Sequence, residues 1–568
     1  MRRLSRTVLG VVTAALTTLA CTTAATPGLA ADPAYDVLVF SKTAGFRHDS
    51  IAAGVQAIRD LGAANNFTVT ATEDATAFTT TELARFETVV FLNTTGDVLD
   101  ASQQTAFESY IRAGGGYTGV HAAADTEYDW PFYGQLVGAY FASHPAVQQA
   151  TVKVEDRAHA ATGHLPQSWP RTDEWYDYRT NARTTAHVLA TLDESSYSGG
   201  QMGADHPHAW CKTVDAGRSF YTGGGHTPSA YSETAFRAHL LGGIRYTAKR
   251  TNADCRPETG YTALYNGSTT GWSQAGPGAF TNTDATLTST GGMGLYWYSA
   301  KQFTNYSLKL DWKLAGDDNT GVFLGFPPSS DPWSAVNNGY EIQIDATDAA
   351  DRTTGSVYTF KAADIAARDA ALNPPGEWNT YELLVEGERL QVFLNSVKIN
   401  DFTNPDPVRS LAGHIGIQNH GDGDDASFRN IRIKELNGPV TPGGPVVGLA
   451  GKCLDISNGG SADGTKIQLW TCNGSGAQRW QVNGQVWRNP QSGKCLDVAG
   501  GGTANGTKAQ LWTCNGSGAQ NWVAQSNGTV RNPQSGKCLD VSQNSAADGQ
   551  QIHIWDCHSG ANQQWRLP

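Results

Sequence analysis

Three kinds of hydrophobic spacing follow one another along the chain. From 34 to 250, apolar runs alternate with helical stripes. "DVLVF", "FTVTAT", "TVVFLNT" and "YTGVHA" read as strands, and "SIAAGVQAIRDLG" sets Ile51, Val55, Ile58 and Leu61 on one helical face. "SQQTAFESYIRAGG" is a helix stopped by glycines. Alternating strand and helix predicts a doubly wound α/β domain with a parallel sheet, over 32–250, with ligands at the carboxyl ends of its strands. From 258 to 436 the period becomes two, in "YSLKLDWKL", "GVFLGF", "GYEIQID", "GHIGIQNHG" and "FRNIRIKEL", which predicts an antiparallel, all-β sandwich. "NGPVTPGGPVVG" then reads as a Pro/Gly spacer over 437–447. From 448 to 568 short strands broken by glycine repeat: "QLWTCNGSGAQRW" at 468–480, "QLWTCNGSGAQNW" at 510–522 and "HIWDCHSGANQQW" at 553–565. Units of that length cannot bury a hydrophobic face alone, so three of them close into one threefold body.

Composition adds the compartment. Charged residues make up 17 % of the 568, whereas Gly (63) and Trp (16) are abundant, the profile of loop-rich β structure with exposed rings. The net charge of −12, with no basic run beyond the first residues, argues against nucleic acid as a partner. "MRRLSRT", the apolar "VLGVVTAALTTLA" and the small residues of "TPGLAA" form a signal peptide, 1–31, cleaved near Ala30 or Ala31. The apolar run is too short to span a bilayer, and no other membrane span is predicted. Arg2-Arg3 suggests twin-arginine export, and Cys21 in "TLAC" would allow lipoprotein anchoring, although Thr18 stands where Leu is usual; secretion is the preferred reading. Without Cys21 eight cysteines remain. Cys453/Cys472, Cys495/Cys514 and Cys538/Cys557 are each nineteen positions apart, which favours one bond per repeat and leaves Cys211 for Cys255.

The repeats, with "GKCLD", "xxW", Cys and "QxW" in each, resemble ricin-B-type lectins, β-trefoils that bind sugars. In that family the sugar meets the Asp after "CL", a polar residue two before the first Trp, that Trp, and an Asn three before the last Trp. The resemblance implies Asp455, Gln468 and Trp470 in the first repeat and Asp497, Gln510 and Trp512 in the second, with Ala477 and Ala519 in the Asn position. The third offers Asp540, His553, Trp555 and Asn562, with Gln563 supporting the pocket, and is expected to be the strongest site. Trp480, Trp522 and Trp565 are expected in the core.

"ALYNGSTTGW", "NTGVFL", "NGYEIQ", "PPGEWNTYEL" and "GHIGIQNHG…FRNIRIKEL" resemble the 3-keto-disaccharide hydrolase family, which implies a concanavalin-like jelly roll. Alternation puts Tyr340, Ile342 and Ile344 on one face and Glu341, Gln343 and Asp345 on the other; Ile415 and Ile417 oppose His414, Gln418 and His420. If their strands adjoin, these polar rows form a catalytic pocket; otherwise they are a solvated outer face.

"GFRHDSI", "GGGYTGVHAAAD", "SHPAVQ", "DEWYDY", "HPHAW" and "GGGHT" resemble the ThuA-like (trehalose utilisation) family, related in fold to class I glutamine amidotransferases. Where those enzymes carry a Cys nucleophile on a strand-to-helix turn, this chain reads Gly119-Val120-His121-Ala122-Ala123, so thioester chemistry is excluded. His48, His121 and Glu174 are candidate proton-transfer residues, and His121 with His226 a candidate divalent-metal pair; no HExxH spacing identifies the ion. His159, His164, His187 and His239 are expected on the surface.

Together these resemblances imply a secreted enzyme that processes 3-keto-glycosides or related sugars while docked on polysaccharide or oligosaccharide. The alternatives are a non-catalytic glycan-binding protein and a ThuA-like metal-dependent hydrolase or isomerase of another sugar. Intact-mass and peptide mapping of the secreted chain should show an N-terminus at residue 31 or 32 and no free thiol at Cys453 or Cys538; a free thiol at either would contradict the one-bond-per-repeat reading.

Overall fold

The computed structural model describes residues 32–567 apart from 346, 407, 437–442, 484, 516 and 526. Residues 1–31, where the leader is expected, with Cys21, and the first part of the spacer lie outside the described residues.

The N-terminal domain has strands β1 (Tyr35–Phe40), β2 (Phe67–Thr72), β3 (Thr88–Leu92), β4 (Gly116–Val120), β5 (Phe141–Ser143), β6 (Gln148–Val154), β7 (Ser168–Asp173), β8 (Asp177–Tyr178), β9 (His187–Leu192), β10 (Pro207–Val214) and β11 (Gly217–Thr222). Nine of them make one sheet in the order β2-β1-β3-β4-β11-β10-β9-β6-β7. From β2 to β11 neighbouring strands are parallel, as the strand–helix alternation requires. From β11 to β7 the sheet is antiparallel. No α-helix intervenes between β6 and β11, and a strand without a crossover helix pairs antiparallel with its neighbour. The helix Ile51–Ala64 buries Ile51, Ile58 and Leu61, and Ala101–Arg112 opens on an Asp100/Gln103 capping box.

Three of the four histidines expected on the surface are buried. His159 and His239 are at most 1 % exposed, and His187 pairs its Nε2 with Asp156 at 2.7 Å. His239 lies on the inner face of the helix Thr234–Thr247, where its Nδ1–H donates to the Ala161 carbonyl (2.8 Å). Only His164 is exposed.

The middle domain is a sandwich. An eight-stranded sheet that includes Tyr306–Leu314, Asn379–Glu386 and Ala426–Glu435 faces a five-stranded one. The smaller sheet runs Trp272–Ala275, Gly294–Tyr298, His414–Asn419, Thr320–Phe326, Tyr340–Ile344. Ile342, Ile344, Ile415 and Ile417 enter the core between the sheets with Leu308, Leu310 and Val322. Arg245 of the N-terminal domain bonds both Asp32 and Glu377 of the sandwich, at 2.6 and 2.8 Å.

In the C-terminal body Trp480, Trp522 and Trp565 are buried, and each indole N–H donates to the equivalent carbonyl, of Leu454, Leu496 and Leu539, at 2.9–3.0 Å. Disulfides join Cys453–Cys472, Cys495–Cys514, Cys538–Cys557 and Cys211–Cys255. The repeats are tied in a ring. Asp548 takes Lys452 and Thr471 of the first repeat, and Asp463 takes Lys494 and Thr513 of the second. In the third, Asp556 and Asn505 exchange the roles. The body begins before 448: Gly444–Pro445 pairs with Arg479–Trp480 and Val446 is fully buried, so the end of the spacer serves as a closing strand.

Candidate functional sites

In the N-terminal domain four strand ends converge. His48 follows β1, His121 follows β4, Glu174 follows β7 and His226 follows β11. β7 is the far edge strand, yet Asp173 at its end accepts from the Gly225 and His226 amides at 2.8 and 3.1 Å, so the sheet curls enough to bring Glu174 back. His121 occupies the left-handed region, φ +47°, a conformation disfavoured for a side chain with a Cβ. That turn aims its ring inward. Its Nδ1–H donates to the Gly223 carbonyl (2.8 Å), so Nε2 carries a lone pair, 3.4 Å from Glu174 Oε2 and 3.3 Å from His226 Nδ1. The rings of His48, His121 and His226 lie 5.1–5.2 Å apart. Burial, with the neighbouring histidines, pushes the His48 imidazolium down to about 3. Burial alone would raise the Glu174 carboxyl, but the His121 and His226 rings beside it outweigh that and hold it at about 2. The Glu174 bond in turn raises His226. A cavity of about 320 Å³ opens on this group, lined by Phe46, Phe141, Tyr176, Asp125 and His144 as well.

The polar rows of the middle domain do not lie on adjoining strands. Thr320–Phe326 separates them, with Val322 paired to Ile342 on one side and Ile417 on the other. They meet nonetheless, because the intervening residue is Gly321: a Cβ there would come within 2.4 Å of Glu341 Oε1. Across that gap the Gln418 side chain reaches toward Glu341 and partly offsets the cost of its charge. Burial outweighs this single donor and raises the Glu341 carboxyl to about 8. His420 lies past the end of its strand, half exposed, with Nδ1–H donating to Asp424 (2.9 Å), which leaves the Nε2 lone pair free. Asp424 also accepts from the Asn319 amide (3.0 Å), and the Asn319 side chain bonds Gln343 and Asp345. Asp345 spends its other oxygen on the Thr347 and Asp348 amides, so it organises the loop rather than facing a substrate. His414 is buried at the opposite end of the strand, its Nδ1–H on the Tyr298 carbonyl.

In the trefoil the three aspartates are buried and Trp470, Trp512 and Trp555 stay 38–40 % exposed. Asp455 accepts from Gln468 and Gln478, and Asp497 from Gln510 and Gln520; burial raises both carboxyls, partly offset by these bonds. Asp540 gathers more donors: His553 (2.9 Å), Asn562 (2.8 Å) and Gln563 (2.8 Å). His553 stacks on Trp555, with ring centres 5.4 Å apart. Gln563 is fully buried and acts through Asp540.

Three family models match in series: trehalose utilisation over 36–247, the 3-keto-alpha-glucoside-1,2-lyase-like domain over 260–434 and the ricin-type β-trefoil lectin domain over 443–565. The three matches follow the three domains in order. Similar solved structures include a ThuA-like protein from Bacteroides uniformis (22 % identity, 38 % of this chain and 91 % of that one, TM-score 0.34). A protein of Parabacteroides distasonis provisionally described as a glycosyl hydrolase shows 22 % identity over 31 % of this chain and all of that one, with TM-score 0.28. The designed threefold protein ThreeFoil shows 31 % identity over 22 % of this chain and 95 % of that one, with TM-score 0.21. The three domains make this a carbohydrate-active protein with a lectin module.

The ThuA-like pocket suits a divalent metal. Three imidazoles and one carboxylate offer ligand atoms within 4.8 Å of one another, and the buried Nδ1 of His48 has no partner. His121, held on Gly223, has the tautomer a ligand needs. Such an ion would polarise a carbonyl or hydroxyl in the cavity. The sequence reading missed His144, whose Nδ1 bonds Glu174 at 2.9 Å, although "SHPAVQ" carried it. It also missed Gly321, for which a glycine inside a strand was the signal.

Replacing Asp540 by Ala should weaken glycan retention more than Asp455→Ala, by ~1–2 kcal/mol for a lost charge-assisted hydrogen bond; equal losses in a polysaccharide pull-down would refute the ranking. Gly321→Ala should displace Glu341 and cut any turnover by the middle domain while leaving trefoil binding unchanged.

Proposed function

We propose that the protein is an exported enzyme that cleaves 3-keto-glycosides by elimination in its middle domain, 258–436, while the trefoil, 448–568, holds it on polysaccharide. A ketone at C3 acidifies the C2 proton. A base removes that proton, the electron pair becomes a C1–C2 double bond, the C1–O bond breaks, and an acid protonates the departing oxygen. No water is consumed. The observation that carries this reading is Glu341, a carboxyl kept protonated near neutral pH on the small sheet, with His420, whose Nε2 lone pair is free, past the end of another strand of that sheet. Glu341 suits the acid, and His420, oriented by Asp424, suits the base. Gln418 holds Glu341 in place, and Gln343, with its Oε1 unpartnered, suits a sugar hydroxyl.

A second reading rests on the cluster of His48, His121, Glu174 and His226. It makes the N-terminal domain, 32–250, a metal-dependent hydrolase or isomerase of another sugar.

Release of aglycone from a 3-keto-glucoside tests the first reading. Glu341→Gln and His420→Ala should each lose on the order of 10²–10⁴-fold in kcat. Unchanged rates in both would leave the middle domain as a binding module.

Stability gives an independent check. The folded Glu341 carboxyl, at about 8, lies above the usual value of about 4, so the folded chain holds a proton that the unfolded chain releases. The stability carried by the neutral carboxyl is complete below about pH 4 and is lost as pH rises through about 8. Glu341→Gln should therefore match wild type in Tm near pH 4 and exceed it at pH 8.5; a constant difference across that range would contradict the buried neutral carboxyl.

A further inference from the structure

Tyr176 joins the N-terminal pocket to a second group of ligating side chains that line no part of the cavity. Its ring packs on His121, centres 4.1 Å apart, and its carbonyl accepts from His206 Nε2 at 2.8 Å. Around His206 stand Asp177 and Glu194, and one ligand atom from each of the three lies within 4.8 Å of the others. His206 is wholly buried, Asp177 is 3 % exposed and the Glu194 side chain 19 %.

The tautomer decides what this group needs. A carbonyl can only accept, so His206 Nε2 carries a hydrogen, and in the neutral ring Nδ1 is left with a lone pair. That lone pair faces a carboxylate oxygen, Glu194 Oε1, at 2.8 Å. Two electron-rich atoms at this distance require a positive species on them. The Tyr197 hydroxyl, 3.2 Å from Nδ1, can donate to the nitrogen but leaves its contact with Glu194 uncompensated. His121 shows the same arrangement, with one nitrogen on a backbone carbonyl and the other facing Glu174.

We propose that Asp177, Glu194 and His206 form a second divalent-cation site, structural in role, that braces the wall of the N-terminal pocket. One imidazole and two carboxylates suit Zn²⁺ or Mn²⁺ better than soft Cu(I). The second contacts of these residues fit that role. Asp177 accepts from the Gln201 amide and the Ser143 hydroxyl, and Glu194 from the Met202 amide. An ion here ties the segment that carries Glu174 and Tyr176 to the loop 194–206, and so fixes the Tyr176 ring against His121.

The test uses the full mature chain, stripped with a chelator and titrated with Zn²⁺ alone, with bound metal measured by elemental analysis after dialysis. Glu194→Gln and Asp177→Asn, both close in shape to the native side chains, should each lose one bound equivalent or bind it at least about tenfold more weakly. His48→Gln, which alters only the pocket cluster, should keep that equivalent. The idea is overturned if both variants hold as much Zn²⁺ as wild type, or if wild type takes up no ion that they lose. In either case a proton on His206 satisfies Glu194 instead.

Discussion

A carboxyl group taken out of water keeps its charge only if enough donors face it, and each domain answers that constraint differently. Glu174 faces three histidines and stays ionised down to about pH 2. Glu341 faces one amide across a bare glycine and holds its proton to about pH 8. Asp455 and Asp497 each receive two glutamines, and Asp540 a histidine, an asparagine and a glutamine. The number and kind of donors thus separate a fixed anion, a neutral acid and hydrogen-bonded acceptors.

Backbone geometry supplies those donors. The left-handed turn at His121 and the curl that returns β7 to β11 assemble one site. The missing side chain at Gly321 assembles another. In the trefoil, the Lys452–Asp548 and Lys494–Asp463 pairs and the Asn505–Asp556 bond tie each repeat to the next, so the three exposed indoles are presented on one body. None of these devices is a contact between distant catalytic residues alone; each is a property of the element that carries them.

Much of this was legible in the sequence because it is periodic. The alternation in "YEIQID" separated Glu341 and Gln343 from the core, and the nineteen-residue cysteine spacing gave the trefoil bonds. Tertiary convergence was not legible. Nothing in "SHPAVQ" places His144 against Glu174, since β5 and β7 belong to different sheets. His187 and His239 looked like surface residues because a histidine bonded to one aspartate or one backbone carbonyl can be buried, and those partners, Asp156 and Ala161, lie far off in sequence; His159 is buried on the Ala161 amide two residues on. The antiparallel half of the first sheet was missed for a related reason: the change from helix crossovers to hairpins is marked only by the lack of a helical stripe between 148 and 222.

The central claim is that the neutral Glu341 and His420 serve an elimination rather than a hydrolysis. It is tested most directly with a 3-keto-glucoside carrying deuterium at C2. Elimination predicts that the deuterium is lost to solvent as the aglycone is released, with a primary isotope effect on the rate. Release of aglycone with the deuterium retained on the sugar would contradict it.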